Sequence, residues 1–471
     1  MSGAPRKHIA VLGAGLGGLS AAWVLGRSGH DVTILEQSDH VGGLAVTKER
    51  GGFEYDLGPH NIHTVHDHVI SFFRRNFSAS FFEHYPKSTI LKRGELIDYP
   101  LRGIRVITSL PVWKIVPAAL SFFAARVRMF LPRRRVDDSF QAWITNRFGK
   151  LLFREYFGPY AEKVWGISAN QIDRHVAEKR VPVISLTELI RAALFGTTAG
   201  SNHPEFLAHN YYLRHGIGET VSFFLREIEK VGVRLVYNCE VRRIVTAAER
   251  VRAITFATRE AGEQEISADY VLSTVPLNAL ISLFDNAPQK VREAAAQLDY
   301  CSSVLVFLRI ARESVLPSSM LYFSEPAVRF SRIYDVGMYS RAMVPKGKTM
   351  VCLEFPCSMN DAIWKADDKE LAKESIEALS KHGVLEERDV EGWHTERISH
   401  SYPRFRVGFQ ERVASCFGFL RSFENLLSYG RQGSFAYLNT DGVMNLGFKA
   451  ATAVLVSEST GYPCWEWFGA R

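Results

Sequence analysis

At 471 residues, with 46% hydrophobic and 23% charged residues, the chain is too long for one compact core and has the composition of a soluble globular enzyme built from two interleaved domains. Its formal charge of +7 suits an anionic partner such as a nucleotide, a diphosphate or an anionic lipid surface, whereas the lack of a basic tail or aromatic-interleaved repeat argues against nucleic acid. Six cysteines (Cys239, Cys301, Cys352, Cys357, Cys416, Cys464) form no CxxC pair, which argues against a disulfide framework or zinc site and points to a reducing cytoplasm.

The first seven residues lack the apolar core of a secretion signal. An apolar strand over 9–12 then runs into Gly13, Gly15 and Gly18, a helix is expected over 19–26, and a second strand, 32–35, ends at Glu36. In this order the glycines let backbone approach a pyrophosphate, the helix turns its positive end toward it, and the acid accepts from ribose hydroxyls. GxGxxG alone is a weak signal; the strand before, the helix after and the spaced acid make it a dinucleotide site. Gly42 and Gly43 repeat a glycine pair where backbone must pass the cofactor again, a pattern typical of FAD proteins. A carboxylate at 36 argues against the 2′-phosphate of NADP, although Glu36 alone suits NAD as well.

Four histidines follow, His60, His63, His66 and His68, but only Asp56 and Asp67 stand near them in sequence, so no metal is expected. The apolar stretch 114–131 is too short to span a bilayer. Its flanking arginines, with Trp113, Phe122, Phe123 and Phe130, suit an interfacial helix on anionic lipid; the alternative is a packed helical subdomain with a basic face. Residues 138–200 read as mostly helical, 220–230 as an amphipathic helix, and 233–237, 240–244 and 268–276 as strands. Alternation over 303–310, 329–335 and 349–355 predicts a second, antiparallel sheet, followed by a helix over 361–384. Gly430 and Gly433 precede a last apolar helix over 443–454, whose N-terminal N–H groups suit the electron-rich edge of a reduced flavin.

The N-terminal fingerprint, the stretch from Asp56 to Thr64, the stretch from Tyr160 to Gly166, and Gly430 and Arg431 with Tyr437 and Asp441 together resemble the superfamily of FAD-dependent amine oxidases, protoporphyrinogen oxidases and UDP-galactopyranose mutases, the mutases most of all. The resemblance covers nearly the whole chain. It implies an α/β (α+β overall) fold with a Rossmann-like FAD-binding domain, made of 1–75, 205–285 and 425–471, and an inserted substrate domain of antiparallel sheet plus helices, made of 76–204 and 286–424. Residues 101–135 form a basic, aromatic helical insertion relative to compact mutases, open to either a membrane-facing or a packed role. The expected cofactor set is Gly13, Gly15, Leu16, Gly18, Glu36, Gly42, Gly43, Leu44, Gly58, His60, Val241, Gly430, Arg431, Asp441 and Met444, with FAD as cofactor.

In the mutase chemistry so implied, reduced flavin attacks a sugar's anomeric carbon, the nucleoside diphosphate leaves, and no net redox change results. Arginines are needed around the departing charge, and Arg180, Arg332 and Arg431 match the family's positions. Tyr437 would donate to the diphosphate, Tyr160 and Trp165 would line the sugar or base region, and His60 and His63, with Arg332 and Arg431, are the catalytic candidates. Asn439 stands where mutases commonly carry an aspartate, and 174–210 does not clearly reproduce their uridine region. Two functions stay open: action on a nucleotide sugar or lipid-linked diphosphate sugar, and oxidation of an apolar or amine substrate in the manner of the oxidases. The expected location is cytoplasmic, with peripheral contact at the inner face of the membrane; the sequence leaves the oligomeric state open.

Overall fold

The computed structural model describes residues 6–64, 66–92, 94–99, 110–129, 137–181 and 209–468, and the chain divides into two compact units. The first comprises Met1–Glu83, Asn210–Asp299 and Gln410–Arg471 and the second His84–His209 and Tyr300–Phe409. The first segment runs to Glu83 because Phe81–Glu83 pairs with the strand His209–Leu213. The last begins at Gln410 because helix Phe409–Leu420 and the turn after it pack Phe419 edge-on and Phe423 face-on against Phe284.

Short runs of continuously apolar residues build the first unit's sheet, as strands buried on both faces require. Five parallel strands stand in the order Arg234–Val236, Asp31–Leu35, His8–Leu12, Tyr270–Ser273 and Leu426–Ser428. Helices Leu16–Arg27 and Thr440–Thr460 touch so closely that a Cβ on Gly447 would lie 2.5 Å from the Gly17 carbonyl oxygen. The fully buried Tyr429 donates its hydroxyl to that same oxygen at 3.1 Å. A three-stranded antiparallel sheet, Cys239–Ala247, Arg250–Thr258 and Gly262–Ser267, completes this unit's strands from the middle segment.

The second unit holds a seven-stranded sheet in the order Val390–Pro403, Tyr300–Ile310, Thr349–Cys357, Arg332–Asp335, Met320–Phe323, Ser88–Lys92 and Glu95–Tyr99. It is antiparallel, as expected, except where Met320–Phe323 meets Ser88–Lys92 in parallel; the long chain between those strands supplies the crossover that parallel pairing needs. Alternation gives the sheet two different faces. Val306, Leu308, Ile333, Val351, Leu353 and Phe355 join the core with Leu371 and Leu379 of helix Asp368–Lys381. The helix expected over 361–384 is split in two, Ala362–Lys365 and Asp368–Lys381, because the Asp367 side chain caps the second by accepting from Lys369 and Glu370 N–H.

The expected helical region begins with Phe140–Phe148 and continues through Lys150–Leu152, Phe153–Phe157, Gly158–Trp165 and Arg174–Arg180; 182–200 lies outside the described residues. Helix Val112–Met129 covers part of the 101–135 insertion, of which 101–109 and 130–135 lie outside the described residues. Among the described residues no helix is long and apolar enough to cross a membrane. All six cysteines are free and buried.

Candidate functional site

The turn after the first strand gives each fingerprint glycine its own steric reason. Gly13 has φ +96°, and a Cβ there would sit 2.5 Å from Thr274 Oγ1. At Gly18 a Cβ would fall 2.0 Å from the Gly13 carbonyl oxygen, so only glycine lets the helix seat on the strand. At Gly15 a Cβ would meet nothing within 4 Å. That space, at the N-terminus of helix Leu16–Arg27, is where a pyrophosphate can reach backbone N–H groups.

Glu36 is already aimed at this turn. Its Oε2 accepts from Ala14 N–H at 2.7 Å, and its Oε1 accepts from the Ser38 N–H and hydroxyl at 2.9 and 2.6 Å. Gly42 N–H donates to the Ala14 carbonyl at 2.8 Å, and a Cβ on Gly43 would lie 3.4 Å from Gly15 Cα, so the second glycine pair rides on the first turn. Leu16 is buried and Leu44 half-buried beside them in sequence. Half-buried Val241 lies two residues past Cys239, whose N–H donates to the Glu36 carbonyl at 2.9 Å.

The histidine stretch meets the C-terminal helix. Gly58 turns the chain out of strand Phe53–Asp56 and into Ile62–Thr64, which carries His63; His60 lies between. Asp441, buried in the first turn of Thr440–Thr460, has its carboxyl raised by burial, opposed by a hydrogen bond from Thr64 and by nearby His66. His68 Nε2 lies 2.8 Å from Asn445 Oδ1, and Met444 beside it is fully buried. Gly430 opens the turn Gly430–Gly433, where Arg431 Nε donates to the Leu438 carbonyl at 2.8 Å. Tyr437 is half-buried, and exposed Asn439 stands at the helix N-cap without a side-chain cap bond. Among the described residues no group of three or more His, Cys, Asp or Glu is placed to hold a metal ion. Beneath the loop, Asp56 accepts from Thr47, Tyr212 and the Ile217 N–H, yet burial pushes its carboxyl up to about 6.

The second unit carries a separate polar group on the other face of its sheet. Glu354, Arg332 and Tyr322 stand directly opposite one another on three adjacent strands. Arg332 grips Glu354 bidentately, Nε to Oε2 at 2.7 Å and Nη2 to Oε1 at 2.6 Å, with side chains only 19% and 10% exposed. Burial works against the Arg332 charge, but Glu354, with Tyr402 and Tyr322, outweighs it and holds the guanidinium above its ordinary value. The Tyr322 ring lies 5.6 Å from Tyr160, edge to face, and 5.0 Å from Tyr99. Burial raises the Tyr160 phenol well above its usual range, and Tyr322 adds to this. Cys352, two residues from Glu354, has its thiol raised by burial and is no nucleophile at neutral pH.

Of the substrate-side residues named from sequence, Tyr160 and Arg332 therefore come together. Trp165 is buried in the same unit against Phe405, ring centroids 5.7 Å apart, with its carbonyl facing Cys301 Sγ. Arg180 ends helix Arg174–Arg180, and its side chain lies outside the described residues. Glu354, Tyr322, Tyr99 and Tyr402 escaped the sequence reading. One signal was available: in the strand Thr349–Cys357 an acid stands between Leu353 and Phe355, an odd residue in an apolar run.

A glycine cradle open at Gly15, a carboxylate held at the end of the second strand and a C-terminal helix begun at a buried acid define an FAD-binding flavoenzyme. Residues 16–412 match the flavin containing amine oxidoreductase family, and the chain belongs to it. It is similar to an L-amino-acid oxidase of Notechis scutatus scutatus, 40% identical over 445 residues that cover 88% of this chain and 81% of that protein. It is also similar to the coproporphyrinogen III oxidase of Propionibacterium freudenreichii subsp. freudenreichii, 21% identical over 467 residues, 87% of this chain and 84% of that one. In fold it is similar to reduced UDP-galactopyranose mutase, with a TM-score of 0.79 at 22% identity, over 98% of this chain and 99% of that chain.

Proposed function

We propose that this flavoenzyme acts on a sugar carried by a diphosphate, on a nucleotide or a lipid, using reduced FAD and with no net oxidation. The observation behind this reading is the charge-balanced Arg332–Glu354 pair with Tyr160, Tyr322 and Tyr402 around it. Such a group is polar yet neutral, with aromatic faces for the apolar side of a sugar ring and oxygen and nitrogen atoms for its hydroxyls. A cationic amine would want an uncompensated carboxylate, and the Glu354 charge is taken by Arg332.

Bound and reduced, FAD supplies the electron pair for exchange at the anomeric carbon. In the first unit Gly13, Gly15, Glu36, Gly42 and Gly43 would hold and orient the cofactor; in the second, Arg332 and Glu354 offer hydrogen-bonding atoms for sugar hydroxyls. Arg431 and Tyr437, near the start of the C-terminal helix, are assigned to the diphosphate, whose charge grows as the anomeric bond breaks.

The test is anaerobic turnover of the dithionite-reduced protein with UDP-galactopyranose, UDP-galactofuranose and a panel of diphosphate sugars, following flavin absorbance and products together. Isomerised sugar with the flavin still reduced is the expected result. A second reading, oxidation of an apolar or amine substrate, draws on the likeness to the two oxidases. It requires one O2 or quinone consumed per turnover, and that stoichiometry without sugar isomerisation would replace the first reading.

A further inference from the structure

Helix Val112–Met129, in the second unit, is apolar on two sides, and the fold uses one of them. Ala118, Phe122 and Ala125 are buried, and Ala118 and Phe122 join a small core with Leu110, Leu152 and Tyr156. Lys114 anchors the same side by pairing with Glu155, and Ser121 Oγ accepts from Leu151 N–H at 3.4 Å.

The other side faces out. Val112, Trp113, Val116, Leu120, Phe123 and Val127 are 83%, 74%, 66%, 64%, 52% and 63% exposed. They are six of the fourteen exposed large hydrophobics among the described residues, gathered on one helix. At 3.6 residues per turn they fall within about 100° of arc, a stripe roughly 25 Å long. Isolated surface hydrophobics need no explanation, whereas a continuous stripe marks a docking surface.

We infer that this stripe docks the second unit onto an anionic lipid bilayer, lying in the plane of the interface. Chemistry picks lipid over protein. The outward residues offer a single side-chain hydrogen-bonding group, the Trp113 indole, where protein interfaces carry about one hydrogen bond per 100–200 Å². The helix contains no acidic residue; its charges are Lys114, Arg126 and Arg128, and Arg133, Arg134 and Arg135 follow soon after in sequence. Cations beside a stripe of Trp, Phe, Leu and Val match the negative surface of anionic lipid in sign and its acyl boundary in polarity. At eighteen residues with three cations, the helix rests on the bilayer without crossing it. The inference stands on this helix alone and holds for either activity above.

The full-length flavin-loaded protein is mixed with vesicles of phosphatidylcholine alone or with 30% phosphatidylglycerol, in 0.1 M salt, and sedimented. Binding to the anionic vesicles at least 10-fold tighter than to the neutral ones is expected, with a loss of at least 10-fold in the Leu120→Glu, Phe123→Glu double variant at unchanged flavin content. Because all six native cysteines are buried, an environment-sensitive dye on a Leu120→Cys variant reports the stripe directly, and its emission shifts to the blue on anionic vesicles. Absence of that shift overturns the inference even if the double variant fails to fold. So does vesicle binding unaffected by the double substitution, or a vesicle-free dimer that the double substitution dissociates, which would make the stripe an interface between copies.

Discussion

Replacing Gly15 with alanine separates cofactor binding from folding. Its backbone, φ −69° and ψ 173°, is one that any residue adopts, and the added methyl meets nothing within 4 Å. Losing glycine at the helix N-cap costs about 0.5 kcal/mol, and the stiffer unfolded chain returns about 0.4–1 kcal/mol, so the apoprotein melts within about 2 °C of wild type. The methyl nevertheless stands in the space through which phosphate oxygens reach the first turn of helix Leu16–Arg27. Loss of one charge-assisted hydrogen bond is worth about 1.5–3 kcal/mol, which raises the FAD dissociation constant roughly 10- to 150-fold. Gly18→Ala is the contrast: its Cβ would lie 2.0 Å from a backbone oxygen, so stability and cofactor fall together. Flavin fluorescence titration of the deflavinated proteins, beside their thermal melts, measures both. Wild-type FAD affinity in Gly15→Ala, or an apoprotein melting more than about 5 °C lower, refutes the assignment of that space to the pyrophosphate.

Glu36→Ala removes the acceptor of Ala14 and Ser38 N–H groups as well as the proposed ribose partner, so FAD affinity should fall at least 10-fold in the same titration, with a stability loss of about 1–2 kcal/mol. Arg332→Met strands the Glu354 carboxylate and should cost about 3–5 kcal/mol in chemical denaturation, most of it recovered in the Arg332→Met, Glu354→Leu double variant while turnover stays lost. A single variant as stable as the double would contradict the paired burial. Asp56 titrates at about 6 in the folded chain against 3.8 normally, so the folded state holds its proton more tightly. Its contribution is fully present below pH 4 and lost as pH rises through about 6, up to about 3 kcal/mol, and Asp56→Asn should flatten that slope in denaturation curves taken from pH 4 to 8.

The cofactor half was legible because its signals are local. Gly13, Gly15 and Gly18 lie within six residues between two apolar strands, and the backbone oxygen that forbids a side chain at Gly18 belongs to Gly13 in the same turn. The sequence also showed three of the seven strands of the second sheet, Tyr300–Ile310, Arg332–Asp335 and Thr349–Cys357, since alternation is read one strand at a time. It could not show which strands become neighbours. Glu354 meets Arg332 only through the register that pairs their two strands, and Tyr99 reaches Tyr322 from more than two hundred residues away. The histidines illustrate the same limit: their clustering was visible, but the partner of His68 stands 377 residues further on. Trp165 shows that an aromatic residue in a family motif can still be a core residue, since its type carries no mark of which way it faces.

The first unit takes its fifth strand from Leu426–Ser428 and covers helix Leu16–Arg27 with Thr440–Thr460. A ribosome makes these pieces about four hundred residues after the nucleotide turn. While the chain is being synthesised, the strand Tyr270–Ser273 has a bare edge and Gly17 has no Tyr429 hydroxyl to receive. The nucleotide turn, translated well before these pieces, gains its full packing only once they have been made. A chain ending before Leu426 would keep the Gly13–Gly18 turn yet lack both the fifth strand and the helix that covers Leu16–Arg27.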